Sequence, residues 1–446
     1  MKRAIMSVLS VMSVLAFHFR AQAQTTTTDS LLATASVHDC VQYALQHQPA
    51  VKQAQIDESI TDRQVKSKLA DWYPQVNATA SLQHYFQVPK ANFNGQVIRQ
   101  GVTNTSTLGA GLTQNIFNRD VLLASNTAKT VRLQARQNTA NTQISTIADV
   151  SKAYYDVLLT QRQIQVLVED TIRLARSLRD AYNQYQGGVV DKVDYKQAQI
   201  SLNNARAQLK SAGELLSAKY AFLKQVMGYP ETGTLSLVYD SVAMLQQATT
   251  LDTSTQVVYE NRIEYQLEQT TRQLLQAEVR YNKQAFLPTL SAYANYNLAY
   301  FNEQFGKLYS ADYPNSYAGL QLAIPIFQGT KRTQNIRIAE LQLKRSDWDL
   351  AQLREQINTE YTQAMATYRG NLNDFYTLKE NVDLANDVYS TVNLQYREGV
   401  KTYLDVIVAE SDLRTAQLNY FNALYNVLVA KVDLQKSVGT LTPQTF

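Results

Sequence analysis

The chain has 446 residues, of which 45% are hydrophobic and 18% are charged, and it contains 15 Gly, 8 Pro and 1 Cys. A single cysteine excludes an intramolecular disulfide framework and a metal cluster built from several thiolates. Average usage gives roughly 30 Gly and 20 Pro in a chain of this length, so we expect few turns and long secondary-structure elements.

Residues 1–23 have the features of a secretory signal peptide. Lys2 and Arg3 are followed by an apolar stretch at 4–17 and by the small-residue cleavage pattern Ala21-Gln22-Ala23. The apolar stretch is shorter than the roughly 20 residues that a membrane-spanning helix needs. Removal of the signal takes away three basic residues and no acid, which lowers the net charge from +4 to +1. We therefore expect an exported protein with no general attraction to nucleic acid.

Four segments alternate apolar and polar residues, which predicts β-strands with one apolar face. They cover residues 76–88, 108–116, 289–300 and 320–326, and Pro325 interrupts the last of them. Strands of about ten residues with tyrosines near their ends are typical of transmembrane β-barrels. A soluble, half-buried sheet would show the same alternation. Export, together with the lack of an apolar run long enough for a spanning helix after the signal, favours the barrel.

Two very long helices are predicted, one in each half of the chain. Residues 118–186 contain neither Gly nor Pro, and a helix of that length measures on the order of 100 Å. Each long helix is expected to end at a glycine turn, Gly187-Gly188 or Gly399, after which a second helix returns. Steps of four and three between apolar residues predict coiled-coil packing. The predicted seams are Val150, Tyr154, Val157, Gln161, Ile164, Val168, Thr171, Ala175, Leu178, Tyr182 and Tyr185 in the first helix, and Ala364, Tyr368, Phe375, Leu378, Val382, Ala385, Tyr389, Val392 and Tyr396 in the second.

The two halves of the chain are predicted to be copies of one unit, because four short motifs recur in the same order, 210 to 214 residues apart. The recurring pairs are Trp72-Tyr73-Pro74 with Phe286-Leu287-Pro288, Ile116-Phe117 with Ile326-Phe327, Gly188-Val189 with Gly399-Val400, and Val226-Met227-Gly228 with Ser437-Val438-Gly439. We therefore divide the chain into a signal peptide (1–23), a first repeat (24–228), a linker (229–255) and a second repeat (256–446). Each repeat is expected to hold two strands and a long helical hairpin, and the linker a short strand or cap at 235–238.

No arrangement of residues in the sequence indicates catalysis. Motifs of zinc proteases, thiol-metal sites, phosphate-binding loops, nucleophile elbows and dinucleotide-binding folds do not occur. The histidines after the signal, His38, His47 and His84, lack the spacing of metal ligands. We therefore expect no catalytic residue, no cofactor, no metal site and no enzymatic activity.

Four residues near the glycine turns form the candidate functional site. Asp194 follows the first turn and Asp405 follows the second, while Tyr396 and Lys401 flank the second turn. Helix capping is one explanation, because an acidic residue near a helix start interacts favourably with the helix dipole. The functional alternative is that both turns meet at one end of a helical tube and form a constriction lined with acidic groups.

Several of these motifs resemble those of TolC-type outer membrane efflux proteins. The resemblance lies in Tyr396–Asp405 and the matching Gly188–Asp194, in residues 72–74 and 286–288 before the strands, and in the closing Val438–Leu441. It implies a homotrimer in the outer membrane of a Gram-negative bacterium, mainly α-helical with membrane β-strands. Each chain would give four strands to a twelve-stranded β-barrel and its helices to a periplasmic α-barrel. Such channels are exit ducts of tripartite efflux pumps or type I secretion systems, and their partners are a periplasmic adaptor protein, an inner membrane transporter and outer membrane lipid.

The resemblance also implies a gate at the periplasmic end. Tyr396 matches a tyrosine that binds an aspartate equivalent to Asp194. Lys401 stands where the family commonly has an arginine that reaches the residue matched by Val193. Asp405 matches the first aspartate of a constriction ring in these channels.

The sequence departs from the family pattern at two positions of this gate, and the first departure weakens the cation binding expected there. The second ring aspartate of the family would fall at Val408, so that one ring of acids remains. Lys401 lacks the bidentate geometry of arginine. We therefore expect a passive channel whose opening is driven by partners, and the alternatives are an exported coiled-coil adhesin or a periplasmic adaptor.

Overall fold

The computed structural model describes residues 34–238, 244 and 257–443, and within them the chain is mainly α-helical. The predicted signal peptide, 1–23, and much of the predicted linker, 229–255, lie outside the described residues. None of the described helices is apolar enough over a sufficient length to cross a lipid bilayer.

The elements of the two halves match in type and length. A helix of 21 residues precedes the sheet strands in each half, and the hairpin helices have 68 and 36 residues in the first half and 67 and 36 in the second. The helices are α1 (Val37–His47), α2 (Pro49–Leu69), α3 (Arg119–Gln186), α4 (Lys192–Met227), α5 (Ile263–Lys283), α6 (Lys331–Arg397) and α7 (Tyr403–Val438). The strands are β1 (Thr34–Ala35), β2 (Gln75–His84), β3 (Lys90–Phe93), β4 (Gln96–Arg99), β5 (Asn104–Phe117), β6 (Ser236–Leu237), β7 (Thr289–Asn302) and β8 (Tyr313–Ala323). We call α3 with α4 the first hairpin and α6 with α7 the second hairpin.

The long helices have the predicted ends. α3 starts after Asn118, whose side chain accepts a hydrogen bond from the Asp120 N–H over 2.8 Å, as an N-cap residue does. α3 ends at Gln186, two residues before Gly188, whose φ of 73° favours glycine. α6 ends at Arg397, two residues before Gly399, which has a φ of 77°. The prediction of two hairpins with glycine turns is confirmed.

One antiparallel sheet joins the two halves in the order β2-β5-β7-β8, so that β2 and β8 are its edges. Its register aligns apolar residues on one face, for example Leu108 between Ala80 and Leu298. The neighbouring pair, Ser81 beside Thr107, belongs to the opposite, polar face. The alternation therefore produces the predicted sheet with one apolar and one polar face.

Three predicted strands have different bounds in the structure, and one of them is β5, which begins at Asn104, four residues before its predicted start. β2 stops at His84, short of its predicted end, and β8 covers Tyr313–Ala323, several residues earlier than predicted. β8 ends ahead of Pro325 because proline has no N–H to donate to the ladder and restricts the residue before it. The first half of β8 shows no apolar alternation, since Ser316 takes one of the apolar-face positions and Tyr317 one of the polar-face positions.

Two short strand pairs complete the fold. The predicted strand in the linker is present as β6, which pairs in parallel with β1. β3 and β4 form a hairpin between β2 and β5 that the sequence prediction lacks. Its turn is Asn94-Gly95, and both residues have positive φ, 55° and 85°, as a two-residue hairpin turn requires.

The main hydrophobic core lies midway along α3 and also includes buried residues of α1, α4, α6 and α7. There α3 buries two lines of residues, one that contains Val150 and Val157, as predicted, and one that contains Ala153 and Thr160. Towards the turn only the second line continues, and its buried residues are Leu167, Asp170, Leu174 and Ala181. The predicted seam residues in this region, Val168, Thr171, Ala175 and Tyr182, lie one position later and are partly or largely exposed. The predicted seam was wrong here because it continued the line of Val150 and Val157, which is buried only in the main core.

Candidate functional site

The two glycine turns have the same backbone geometry. In each, the glycine N–H donates to the carbonyl three residues earlier, over 3.0 Å, and the following valine N–H donates to the carbonyl five residues earlier, over 2.9 Å. These bonds run from Gly188 to Tyr185 and from Val189 to Gln184 in the first hairpin, and from Gly399 to Tyr396 and from Val400 to Gln395 in the second. This is the Schellman arrangement of helix ends, so the recurring motif corresponds to a recurring structure.

Asp405 forms a capping box at the start of α7. Its Oδ2 accepts hydrogen bonds from the Thr402 N–H over 2.9 Å and from the Thr402 hydroxyl over 2.8 Å, while the Asp405 N–H donates to Thr402 Oγ1 over 3.4 Å. These bonds, and then the charge of Lys401, hold the pKa of Asp405 below its usual value. Asp405 is therefore an ionised capping residue at neutral pH, and its carboxylate remains partly exposed.

Asp194 takes the equivalent position in the first hairpin, as the third residue of α4, without a capping box. The N-cap residue there is Asp191, which makes no capping hydrogen bond through its side chain. Thr402 donates its hydroxyl proton to Asp405 in the second hairpin, whereas a carboxylate at the N-cap offers no such donor to Asp194. Among the described residues no hydrogen bond to the Asp194 carboxylate is present. Asp194 is half-buried.

Tyr396 lies at the end of α6 and joins the two hairpins. Its hydroxyl donates to Oε1 of Gln184 in α3 over 2.8 Å, and not to Asp194 as the resemblance implies. Its ring packs against that of Tyr403, with ring centroids 5.8 Å apart. Burial is the main reason why the pKa of Tyr396 is raised, and the charges of Asp194 and Asp180 raise it further, against the effect of the bond to Gln184. Asp194 thus acts on Tyr396 through its charge alone.

Lys401 contacts Asp405 and not the first hairpin. Its Nζ lies 3.8 Å from Oδ1 of Asp405, one turn further along the chain, and both side chains are partly exposed. Of the four predicted site residues, the structure brings Lys401 and Asp405 into contact. It places Asp194 near Tyr396 without a bond between them.

A small hydrophobic cluster fixes both turns at one end of the molecule. Ala181 of α3, Ala198 of α4 and Tyr403 of α7 are buried in it, and Tyr195 and Tyr396 pack at its edge. Because these residues come from all four hairpin helices, the cluster holds the two turns side by side. The candidate residues therefore share one end of the helical region.

A basic cleft of about 430 Å³ opens beside this cluster, between α3, α6 and α7. Arg173, Arg176 and Arg397 line it, with Tyr389 at one side and Asp180 as its acidic residue. Arginine guanidinium groups suit carboxylate partners because they donate several hydrogen bonds in one plane. The cleft is thus positively charged beside the acidic turns.

A buried ionic cluster lies between the hairpins, five residues along α7 from Asp405. It consists of Asp170 and Arg173 from α3 and Glu410 and Arg414 from α7, with nitrogen–oxygen distances of 3.1 to 3.3 Å. Asp170 is 0% exposed and Glu410 is 2% exposed. Burial and then the charge of Asp170 raise the pKa of Glu410, both arginines lower it, and together these effects bring it to about 7. Sequence reasoning missed this cluster, because oppositely charged residues three or four apart are common on exposed helix faces.

Apolar side chains are exposed around both turns. Each of them is more than half exposed. Exposed apolar residues concentrated in one place are typical of a contact surface. They are Val189, Val193, Val400, Leu404 and Val408. Both turns thus offer an apolar surface next to the candidate residues.

The family to which the chain belongs follows from a comparison of its sequence with known families. The model of the family described as "Outer membrane efflux protein" matches residues 40–229 and 258–440, which together make up most of the chain. The chain belongs to this family. The predicted resemblance is therefore confirmed, and membership places the protein among outer membrane channels rather than adhesins or adaptors.

Individual members of the family show the extent of the similarity. TolC from Vibrio cholerae is 23% identical to this chain over 389 residues, which cover 85% of each protein. The alkaline protease secretion protein AprF from Pseudomonas aeruginosa is 25% identical over 291 residues, covering 62% of this chain and 59% of AprF. The crystal structure of the outer membrane protein VceC from V. cholerae matches with a TM-score of 0.72 and 15% identity, covering 90% of this chain and 96% of VceC. The fold is that of outer membrane channels of this family.

Proposed function

We propose that this chain forms a homotrimeric channel in the outer membrane, which acts as the exit duct of a tripartite efflux pump or a type I secretion system. One observation carries the proposal: an open-edged sheet with one apolar face is continuous with helical hairpins whose turns meet at their far end. The family match supports an efflux channel. The name of AprF, a protease secretion protein, shows that relatives include proteins of secretion systems.

The sheet explains why several copies are needed. The smallest single-chain barrels in membranes have eight strands, and this chain supplies four to the sheet. Each backbone group left unpaired in lipid costs several kcal/mol, so the edges β2 and β8 must be covered. β2 and β8 run in opposite directions, because all neighbours in the sheet are antiparallel. β8 of one copy can therefore pair with β2 of the next, and three copies give a twelve-stranded β-barrel.

The gate of the channel is proposed to lie at the turns. Asp405 gives each copy one carboxylate at the mouth, and Lys401 lies beside it. Asp194 has a carboxylate that a neighbouring copy can bind, and Tyr396 holds the two hairpins of one copy together through Gln184. Opening then requires the second hairpin to move away from the first.

The partners are proposed to be a periplasmic adaptor protein and an inner membrane transporter. The exposed apolar residues around both turns offer the adaptor a surface, and the lipid of the outer membrane contacts the apolar face of the sheet. The predicted division into two repeats, 24–228 and 256–446, gives each repeat one hairpin and two sheet strands. No nucleic acid and no cofactor takes part in this function.

Membrane insertion of the sheet is one test of the proposal. Arginine in place of Leu108, on the apolar face, is expected to weaken assembly by about 2–4 kcal/mol, the range for a charge facing lipid near the membrane centre. The matched control is Thr107→Arg on the polar face, which is expected to assemble normally. Outer membrane fractions would be run on gels with and without heating, and the extracted protein added to planar bilayers.

The expected result is a heat-sensitive oligomer and ion conductance for the unaltered protein and for Thr107→Arg, and loss of both for Leu108→Arg. A protein that stays soluble without detergent and does not conduct would contradict the proposal. So would equal assembly of the two arginine variants.

A further inference from the structure

The buried ionic cluster connects the two hairpins at two points. Arg173 of α3 donates to Oε1 of Glu410 in α7 over 3.1 Å, and Arg414 of α7 donates to Oδ2 of Asp170 in α3, also over 3.1 Å. The two acids balance the two arginines in charge when both acids are ionised. Both connections must break if α7 moves away from α3 in this region.

The two acids of the cluster differ in how well their oxygens are paired. Asp170 has Oδ1 bonded to Arg173 and Oδ2 bonded to Arg414. Glu410 has Oε1 bonded to Arg173, whereas its buried Oε2 has no hydrogen-bond partner among the described residues. A buried carboxylate oxygen without a partner disfavours the ionised form. Glu410 is therefore the member of the cluster that binds a proton most readily.

The groups around Glu410 decide when it ionises. Those that face it are Asp170 and Arg173 from α3, Tyr389 from α6, and Tyr403 and Arg414 from α7. Burial raises the pKa of both tyrosines, so they stay neutral near pH 7, and the arginines stay charged. Burial, followed by the charge of Asp170, outweighs the two arginines and raises the pKa of Glu410 to about 7.

We propose that the ionic cluster is a latch between the two hairpins, which is firm while Glu410 carries a proton and is weakened when that proton is lost. The inference rests on the proposed channel function, because it concerns the opening of the gate. Asp170, Arg173, Glu410 and Arg414 are positioning residues in this account. They hold α7 against α3, and α7 carries Asp405 at the mouth.

The direction of the pH effect follows from the two states of Glu410. With the hairpins together its pKa is about 7, and in water it returns to the ordinary value of 4.5. Acid therefore favours the closed arrangement, whose stabilisation by this group is complete below pH 4.5 and is lost as the pH rises through about 7. Asp405 does not contribute to this effect between pH 5 and 8, because its hydrogen bonds to Thr402 keep its pKa below the ordinary value of an aspartate.

Conductance of the full-length channel in planar bilayers at pH 5, 6, 7 and 8 tests the latch. For the unaltered protein we expect the open fraction to be more than tenfold higher at pH 8 than at pH 5. Glu410→Gln has nearly the size of the protonated acid, and we expect it to keep the low open fraction of pH 5 at every pH. A role limited to folding stability would not remove the pH profile in this way.

The matched control is Asp433→Asn, which removes an ion pair with Lys152 between the same two helices, far from the turns and partly exposed. It is expected to follow the unaltered protein at each pH. A Glu410→Gln channel that keeps the pH profile of the unaltered protein would overturn the latch. An open fraction of the unaltered protein that does not change with pH would also overturn it, and this second test holds even if the variant does not assemble. If the unaltered protein conducts at no pH, the channel proposal itself fails.

Discussion

The two long helices have nearly the same length and very different surroundings. Of the 68 residues of α3, 21 are buried, whereas six of the 67 residues of α6 are buried. α3 packs against α1, α2, α4, α5 and α7, while α6 packs mainly against α5 and α7. The proposed trimer accounts for this difference, because in it α3 finds its neighbours within the chain and α6 finds further neighbours in another copy.

The exposed face of α6 carries apolar side chains. Each of them is more than half exposed: Leu341, Trp348, Leu384, Val388 and Leu394. Apolar groups exposed along one helix are typical of an interface. In the proposed trimer a neighbouring copy covers this face, which gives α6 the surroundings that α3 has within one chain.

The two turns also differ in how many of their polar groups are bonded within the chain. The second turn is fixed within the chain, because Thr402 and Asp405 form a capping box. The first turn has two glycines, and neither Asp191 nor Asp194 caps α4 with a side-chain bond. In the proposed trimer the first turn keeps a carboxylate for contacts with another copy, while the second, closed by its capping box, carries the acid of the proposed constriction.

The largest effect is expected when a buried side chain of α3 is shortened. Leu158 is 1% exposed in the main core, and Leu→Ala at such a site costs about 2–5 kcal/mol. We expect Leu158→Ala to lower strongly the temperature at which the oligomer dissociates on gels. Tyr182→Ala is the control on α3, because this side chain is 46% exposed.

A smaller effect is expected from a Leu→Ala substitution on α6. It shows whether the exposed face of this helix meets water or a second copy of the chain. Leu384 is 56% exposed in the single chain, so Leu384→Ala would have almost no effect on a monomer. If a second copy covers it, the dissociation temperature of the oligomer falls while the helical content of the dissociated chain is unchanged. An unaltered dissociation temperature would show that this face of α6 meets water.

Removal of one hydroxyl tests the link between the hairpins. Tyr396→Phe deletes the hydrogen bond to Gln184 and keeps the ring packing on Tyr403. One such bond contributes about 0.5–1.5 kcal/mol, so we expect more frequent opening and entry of vancomycin, a normally excluded antibiotic. Gln184→Leu is the matched variant and is expected to behave alike. Unchanged vancomycin resistance in both would leave the bond with a structural role alone.

The smallest effect is expected at the capping box, where two substitutions separate capping from charge. Asp405→Ala removes both the cap and the carboxylate, and we expect higher single-channel conductance or weaker block by divalent cations. Thr402→Ala weakens the cap and keeps the carboxylate, so block is expected to persist. Equal block in both variants and in the unaltered protein would show that Asp405 only caps α7.

Much of the fold could be predicted from the sequence because it depends on local chemistry. The absence of Gly and Pro sets the length of α3, the glycines set the turns, and alternation sets the faces of the sheet. The first half of β8 escaped prediction because Ser316 interrupts the apolar face, and its place is set by pairing with β7.

The candidate site was predicted only in part, for a related reason. Asp194, Tyr396, Lys401 and Asp405 stand next to glycines that mark the turns, so their common location could be predicted. The bond from Tyr396 to Gln184 joins residues 212 positions apart, and no local pattern indicates it. The ionic cluster depends on which line of α3 meets α7, and the predicted seam differed from that line by one residue.

The central claim is that one chain supplies a third of a closed channel, and the mass of the extracted complex tests it most directly. Native mass spectrometry of the protein released from outer membranes in detergent should give three times the mass of the mature chain. A mass equal to one chain, under conditions in which the helices remain folded, would contradict it, because the edges of the sheet and the apolar face of α6 would then have no second copy to cover them.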